Sequence, residues 1–107
     1  MIGKVIALNQ YLIQVKHLPE RDIRNEYVAK LLSSADTLFS LAWRELAGKD
    51  CLKRALETIG EIVGRTYLIY SLHGWSNKVA ARIDAMCAEI TAELCKADAV
   101  NSRNHEV

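Results

Sequence analysis

The chain has no long hydrophobic run, few aromatic residues and no large excess of charge of either sign. Its wholly apolar stretches are only a few residues long, far short of the roughly 18 residues that cross a bilayer. Polar Asn9 and Gln10 interrupt the apolar residues near the N-terminus, which does not fit a secretory signal peptide. We therefore expect a cytoplasmic protein that does not act at a membrane. Because the net charge is only +1, any attraction to nucleic acid has to come from a local basic patch.

Residues that usually bind metals or form disulfides are few and scattered. The cysteines form no C-x-x-C pair, and their odd number argues against a closed disulfide framework, so we expect reduced thiols. The histidines have no partner three or four residues away, whereas a metal site needs converging ligands. These residues are Cys51, Cys87, Cys95, His17, His73 and His105. We expect neither a metal nor another cofactor.

Catalytic motifs are also missing. There is no glycine-rich phosphate loop or nucleophile elbow, and Glu57 and Glu61 lack the Glu-x-x-His motif of a di-metal bundle. Arg65 and His73 resemble the Arg–His pair of helical HEPN ribonucleases, but their separation is longer than that family's motif. We therefore assign no catalytic residue and expect a protein that is not an enzyme.

What the chain does have is apolar residues at helical spacing, interrupted at three points. Pro19 opens a second helix, Gly48 ends it with a left-handed residue, and Asp50 caps the third. Gly74 separates the third helix from the fourth, which Ser76 or Asn77 caps. The predicted helices span about 2–16, 19–47, 51–73 and 77–97, and a flexible polar tail covers 98–107. Short loops force consecutive helices to alternate in direction, which predicts an all-α, antiparallel up-down-up-down four-helix bundle as a single domain, 1–97.

The strongest periodic signal lies in the second helix and predicts its buried side. Apolar residues recur there at alternating steps of three and four, and further apolar residues, Tyr27, Leu32, Phe39 and Leu46, widen the stripe. Gly60 and Gly64 weaken the middle of the third helix, and we expect close approach of a neighbouring helix to offset that cost. The predicted core comprises Val28, Leu31, Ala35, Leu38, Ile59, Ile62, Val79, Ile83, Met86 and Ile90.

Two kinds of surface residue are candidates for binding. Arg21 and Arg24 open the second helix, and a second basic group surrounds the following break, so antiparallel packing would place two basic patches at opposite ends. Such patches can contact phosphates or simply keep the protein soluble, and interspersed carboxylates favour the second role. The second group comprises Lys49, Lys53 and Arg54. The aromatic candidates for an interface are Trp43, Tyr67, Tyr70 and Trp75, and either tryptophan could instead be buried in the core. Because the third helix is apolar on nearly all sides, we also expect a homo-oligomer.

The order of these segments resembles a known family. The likeness rests on Lys30-Leu31-Leu32, Leu38-Phe39-x-x-Ala42, Lys53, Arg65 and Glu89-Ile90-x-x-x-Leu94. The chain is similar in these segments to the four-helix-bundle accessory variability determinant proteins of diversity-generating retroelements, which are related to bundle proteins encoded in ribosomal RNA intervening sequences. The resemblance implies an oligomeric accessory protein without catalytic activity that binds RNA and a reverse transcriptase. Lys30, Lys53 and Arg65 would be its first RNA-binding candidates.

A protein-binding module is the competing interpretation: a small immunity, inhibitor or chaperone-like bundle that docks another protein through an exposed helix face. One structural question separates the two interpretations. A connected basic surface without neutralising carboxylates favours RNA, whereas an exposed apolar patch that includes the aromatic candidates favours a protein partner.

Overall fold

The computed structural model shows four helices joined by short loops and describes the backbone of residues 1–106 and the side chains of residues 1–100. Helix α1 spans Ile2–Val15, α3 spans Leu52–Ser71 and α4 spans Asn77–Glu106. Helix α2 consists of three consecutive segments, Arg21–Ile23, Arg24–Val28 and Ala29–Leu46. None of the helices among the described residues is long and apolar enough to span a membrane.

The helices pack in a closed ring in the order α1, α2, α3, α4, with α4 returning to contact α1. Side-chain hydrogen bonds between adjacent helices show which of their residues lie at the same height in the bundle, and each of these pairs is consistent with antiparallel packing. The bonded pairs are Asn9 with Ala35, Ser34 with Glu61, Tyr67 with Asp84, and Lys4 with Glu93. The predicted all-α, antiparallel four-helix bundle is confirmed.

Helix α2 departs from regular α-helical geometry over one turn. The segment Arg24–Val28 is π-helical, which places one extra residue in the turn and shifts the faces on either side of it. Val28 is buried against the core, while Arg24 in the same segment is exposed. The periodicity of the sequence predicts one helix from 19 onward and does not show this change of register.

Two left-handed residues end α2 and α3. Gly48 has φ +85° and fulfils its predicted role, and the Lys49 amide bonds back to the Arg44 carbonyl as in a Schellman motif. At the end of α3 the left-handed residue is His73, with φ 61°, rather than Gly74. A Cβ on Gly74 would lie 2.8 Å from Ile69 Cγ2 and 3.1 Å from Pro19 Cβ. Gly74 is therefore needed for close packing between loops.

The start of α3 is held by a residue other than the one predicted. Asp50 is exposed, the first residue before the helix is Cys51, and no side-chain cap bond forms there. Instead, the buried Glu45 carboxylate accepts a 2.8 Å hydrogen bond from the Cys51 amide. The prediction that Asp50 caps this helix is wrong, because Glu45 reaches the same loop from the end of α2. At the start of α4 the Ser76 hydroxyl accepts a 3.3 Å bond from the Val79 amide, as expected of a cap.

The bundle interior follows the sequence prediction closely. Of the predicted core, Val79 and Met86 are only partly buried and pack against it, while the others are buried. The structure adds Trp75 to the core: it is 3% exposed, and its indole N–H donates a 2.9 Å hydrogen bond to the Val15 carbonyl. This bond ties the α3–α4 loop to the end of α1.

Two further predictions are corrected. Apart from adjacent residues and the backbone of α3 itself, no atom of the residues that the structure describes lies within 4 Å of a Cβ built on Gly60 or Gly64, so none of the described helices approaches them closely. Helix α4 does not end near Ala97 but continues to Glu106, so most of the predicted tail 98–107 is helical. Val107 and the side chains of residues 101–107 lie outside the described residues.

Candidate docking surface

A second apolar stripe runs along the outside of α2. Leu32, Phe39, Trp43 and Leu46 are spaced by seven, four and three residues, so they share one side of the helix. Trp43 is 60% exposed and Leu46 is 49% exposed, which contradicts the expectation that Leu46 widens the core stripe. Leu32 and Phe39 are partly buried against the core. The exposure of the stripe thus increases along α2, from two partly buried residues to two exposed ones.

Helix α1 contributes to the same side of the bundle. Its Asn9 amide donates a 3.3 Å hydrogen bond to the Ala35 carbonyl of α2, which sets the register between the two antiparallel helices. Ile6 and Ile13 share the face of α1 that carries Asn9, and they are 41% and 56% exposed. The register puts Ile6 at the level of Phe39 and Ile13 at the level of Leu32. We name this surface the α1–α2 face; it consists of Ile6, Ile13, Leu32, Phe39, Trp43 and Leu46.

One half of the α1–α2 face centres on an aromatic pair. The Phe39 and Trp43 rings stack with centroids 6.3 Å apart and an interplanar angle of 29°. Ser40 and Arg44 complete a shallow groove along these rings. Stacking restricts the motion of Trp43 before any partner arrives, which lowers the entropy lost on binding. An exposed, ordered tryptophan in an apolar stripe is the usual anchor of a protein interface.

The other half of the α1–α2 face ends in a basic groove. Lys16 and His17 follow α1, and Arg24 comes from the π-helical turn of α2, so only tertiary packing brings them together. The groove has an apolar floor of Val28, Ala29 and Leu32. Its volume of about 180 Å³ is below the roughly 300 Å³ at which small-molecule pockets begin, so it suits one or two side chains of a partner.

The other interface candidates lie elsewhere. Trp75 is buried in the core, so it does not belong to a surface of this chain. Tyr67 and Tyr70 are 46% and 41% exposed, and the Tyr67 hydroxyl donates a 2.8 Å hydrogen bond to Asp84 on the α3–α4 side. Because α1 and α2 lie across the ring of helices from α3 and α4, Trp43 and Tyr67 belong to opposite sides of the bundle.

The nucleic-acid-binding candidates divide into paired and unpaired groups. Lys30 bonds to Glu26 at 3.0 Å, and Arg65 lies 3.7 Å from Glu61 and donates to Ser34. The others form no ion pair with another residue whose side chain is described. They are exposed and lie at opposite ends of the bundle, Arg21 and Arg24 at one end and Lys49, Lys53 and Arg54 at the other. The structure therefore brings the candidates into no single patch.

Three carboxylates meet near the α2–α3 loop. Oxygens of Glu45, Asp50 and Asp98 lie within 4.8 Å of one another. Glu45 is already engaged by the Cys51 amide, and acidic groups commonly gather near a surface without an ion. We assign no metal to this cluster.

The groups with shifted pKa values are Tyr67, Cys87 and Glu93, and none of these three residues belongs to the α1–α2 face. The hydrogen bond from Tyr67 to Asp84 raises the pKa of the Tyr67 phenol, and the charge of Asp84 acts in the same direction. Burial raises the pKa of the Cys87 thiol to about 12, with a further contribution from Asp84. Lys4, which bonds to Glu93 at 3.3 Å, lowers the pKa of that carboxyl. These shifts follow from packing and surface pairing and do not indicate a reactive centre.

Comparison with known proteins adds no assignment, since neither family models, curated proteins nor solved structures contain a match to this chain. A function is therefore inferred from the exposed residues of the α1–α2 face. Sequence reasoning singled out Trp43 but missed Ile6, Ile13 and the basic pair Lys16 and His17. A signal for the stripe existed in the spacing of Leu32, Phe39, Trp43 and Leu46, but the same spacing also fits a wide core face.

Proposed function

We propose that this chain is a non-enzymatic helical-bundle protein that binds another protein through the α1–α2 face. The observation that supports this most directly is Trp43, which is 60% exposed yet stacked on Phe39 within a continuous apolar stripe. Apolar stripes of this kind cost solubility, and on proteins they mark sites of association. Tryptophan is also among the residue types enriched at the positions that dominate binding energy in protein interfaces.

The charges of the bundle support this proposal over nucleic-acid binding. Lys30 and Arg65, two of the residues on which the retroelement resemblance rests, already neutralise Glu26 and Glu61. The remaining candidates divide between two ends, and the whole chain has a net charge of only +1. A phosphate backbone would therefore meet small separate patches rather than a connected basic surface.

Comparative affinity capture tests the proposal. Full-length protein, the Trp43→Ala variant and the Tyr67→Ala variant serve as matched baits, since each variant removes one exposed aromatic ring from an opposite side. We expect wild type and Tyr67→Ala to capture a partner that Trp43→Ala does not retain. Titration with the purified partner should show that Trp43→Ala lowers the affinity about tenfold or more. A partner bound equally by all three baits would place the binding site elsewhere.

A second candidate function is the RNA-binding accessory role implied by the retroelement resemblance, in which the bundle binds RNA and a reverse transcriptase. The observation that favours it is the exposure of Lys53 and Arg54, which form no ion pair with another residue of 1–100. If they contact phosphates, affinity for a structured RNA falls steeply with salt, and reversing both to Glu reduces the slope of log affinity against log salt by about two. A slope near zero for wild type would remove this candidate.

We also propose that the chain forms a homo-oligomer. Tyr67, Leu68 and Tyr70 are each more than 40% exposed on α3, which agrees with a helix that is apolar beyond the needs of one bundle. Light-scattering mass of wild type compared with Tyr70→Glu tests this. A monomeric wild type contradicts it.

A further inference from the structure

The grooves along the α1–α2 face are lined by apolar, polar and basic residues. Lys16, His17 and Arg24 line the groove at one end, and Arg44 lines the groove beside Phe39 and Trp43 toward the other. None of the described residues that line these grooves is acidic. On the outside of α2, the exposed carboxylate of Asp36 lies between the two ends. The face is thus apolar along its length, basic at both ends and acidic near its middle.

The form of the face suits a helix. Its apolar residues lie along two adjacent antiparallel helices, and a third helix can pack along such a pair with residues at i, i+3, i+4 and i+7. Arg24 and Arg44 are separated by 20 residues of α2, which corresponds to about 30 Å along the axis at 1.5 Å per residue. A partner helix of about 20 residues therefore reaches both basic ends.

The π-helical turn contributes to this arrangement. It contains both Arg24, which lines the basic groove, and Val28, which forms part of its floor. Such turns occur often at functional sites because they re-aim side chains without ending the helix. In this chain the turn lies at the junction where the apolar stripe meets the basic end.

From these observations we propose that the element bound by the α1–α2 face is an amphipathic α-helix of a different protein, with acidic residues near both of its ends. This inference rests on the proposed protein-binding function and specifies the chemistry of its partner. The apolar side of that helix covers Phe39 and Trp43, while its carboxylates pair with the basic residues at the two ends of the α1–α2 face.

Charge argues against a second copy of this chain packing face to face on the same surface. A two-fold contact brings each residue of the face against the same face of the other copy. In one orientation Lys16 and Arg24 meet their own counterparts, and in the other they meet Arg44. Cations face cations in both cases, whereas a foreign acidic helix satisfies both ends.

Designed peptides test the inference on the full-length protein. Two fluorescein-labelled peptides of about 20 residues carry the same leucine stripe, one with Glu and one with Lys at both ends. A third peptide has the Glu ends and two central prolines, which break the helix. Fluorescence anisotropy measures their binding at low and at physiological salt. We expect the helical Glu-ended peptide to bind about tenfold or more tightly than either of the others.

Protein variants locate the peptide on the surface. We expect Trp43→Ala to weaken binding of the Glu-ended peptide by about tenfold, and Tyr67→Ala, on the opposite side, to leave it unchanged. Combining Lys16→Glu with Arg24→Glu should reverse the preference toward the Lys-ended peptide. Equal binding of the Glu-ended and Lys-ended peptides overturns the acidic character of the partner, and equal binding of the proline peptide overturns its helical form.

Other outcomes separate this inference from the proposed function. If no peptide binds, the acidic helix is wrong, but a natural partner that Trp43→Ala fails to capture still supports protein binding by the α1–α2 face. If wild type is an oligomer by light scattering and Trp43→Glu makes it monomeric, a second copy covers the face through another of its surfaces, which overturns the inference of a foreign helix.

Discussion

The two tryptophans provide a matched test of how this bundle is held together, using the same substitution at an interior and a surface position. Trp75→Phe keeps most of the buried ring but deletes the N–H that bonds to the Val15 carbonyl at 2.9 Å. The Val15 carbonyl still accepts a 3.1 Å hydrogen bond from the Leu18 amide, so losing the indole bond costs about 0.5–1.5 kcal/mol, and the smaller ring adds a cavity term. Trp43→Phe changes a ring that is 60% exposed and forms no such bond, so it should cost less than about 0.5 kcal/mol.

Urea denaturation followed by circular dichroism measures both variants, because loss of a tryptophan does not disturb that signal. With roughly 4–8 °C of melting temperature per kcal/mol in a domain of this size, Trp75→Phe should also melt about 5–20 °C below wild type. Equal stability of the two variants, or a larger loss of stability in Trp43→Phe, would contradict this assignment of one tryptophan to the core and the other to the surface. The second result would make Trp43 a structural residue and weaken its assignment to a docking surface.

Three further predictions concern the core and the helices. Above about pH 8.5 the Cys87 thiol, with its pKa raised to about 12, should lower the stability of wild type by up to about 1.4 kcal/mol per pH unit, because it ionises only in the unfolded chain; Cys87→Ala should remove this contribution and leave that of Tyr67, whose pKa is also raised, when both proteins are unfolded in urea at pH 8 and pH 10. Gly60→Ala and Gly64→Ala should each raise the free energy of unfolding by about 0.5–1 kcal/mol, since open space surrounds both positions, and a drop in melting temperature would reveal a contact that the fold does not show. Leu38→Asp puts a carboxylate at a position with no exposed surface and should cost several kcal/mol, so a variant with native circular dichroism and cooperative melting would place Leu38 outside the core.

Helix positions and most of the core were predictable because they depend on local spacing. Apolar residues such as Leu31 and Leu38 recur with the helical period, and that period already specifies the side of α2 on which they lie. Gly48 likewise marks a helix end through its own backbone freedom. The extension of α4 past Ala97 was missed because its polar residues lack an apolar stripe, although a polar segment can still continue a helix.

The candidate site was only partly predictable. Trp43 and Trp75 are the same residue type next to comparable breaks, yet one is 60% exposed and the other 3%. The difference comes from the α3–α4 loop, which folds over the end of α1 and buries Trp75, whereas none of the helices described within residues 1–106 covers Trp43 on the outer side of α2. The contacts of Arg65 were predictable only in part: its ion pair with Glu61 follows from a spacing of four residues on α3, whereas its hydrogen bond to Ser34 depends on the packing of α2.

By itself, the sequence determined where the helices begin and end, except for the end of α4, and which side of each is apolar, because both depend on residues within a few positions of one another. Tertiary structure alone decided which apolar residues stay uncovered and which charged residues of different helices come together. Those properties depend on what packs against each helix, as when the end of α1 and the π-helical turn of α2 bring Lys16, His17 and Arg24 together. A helical period specifies the direction in which a side chain points, but not whether another element of the fold lies there to cover it.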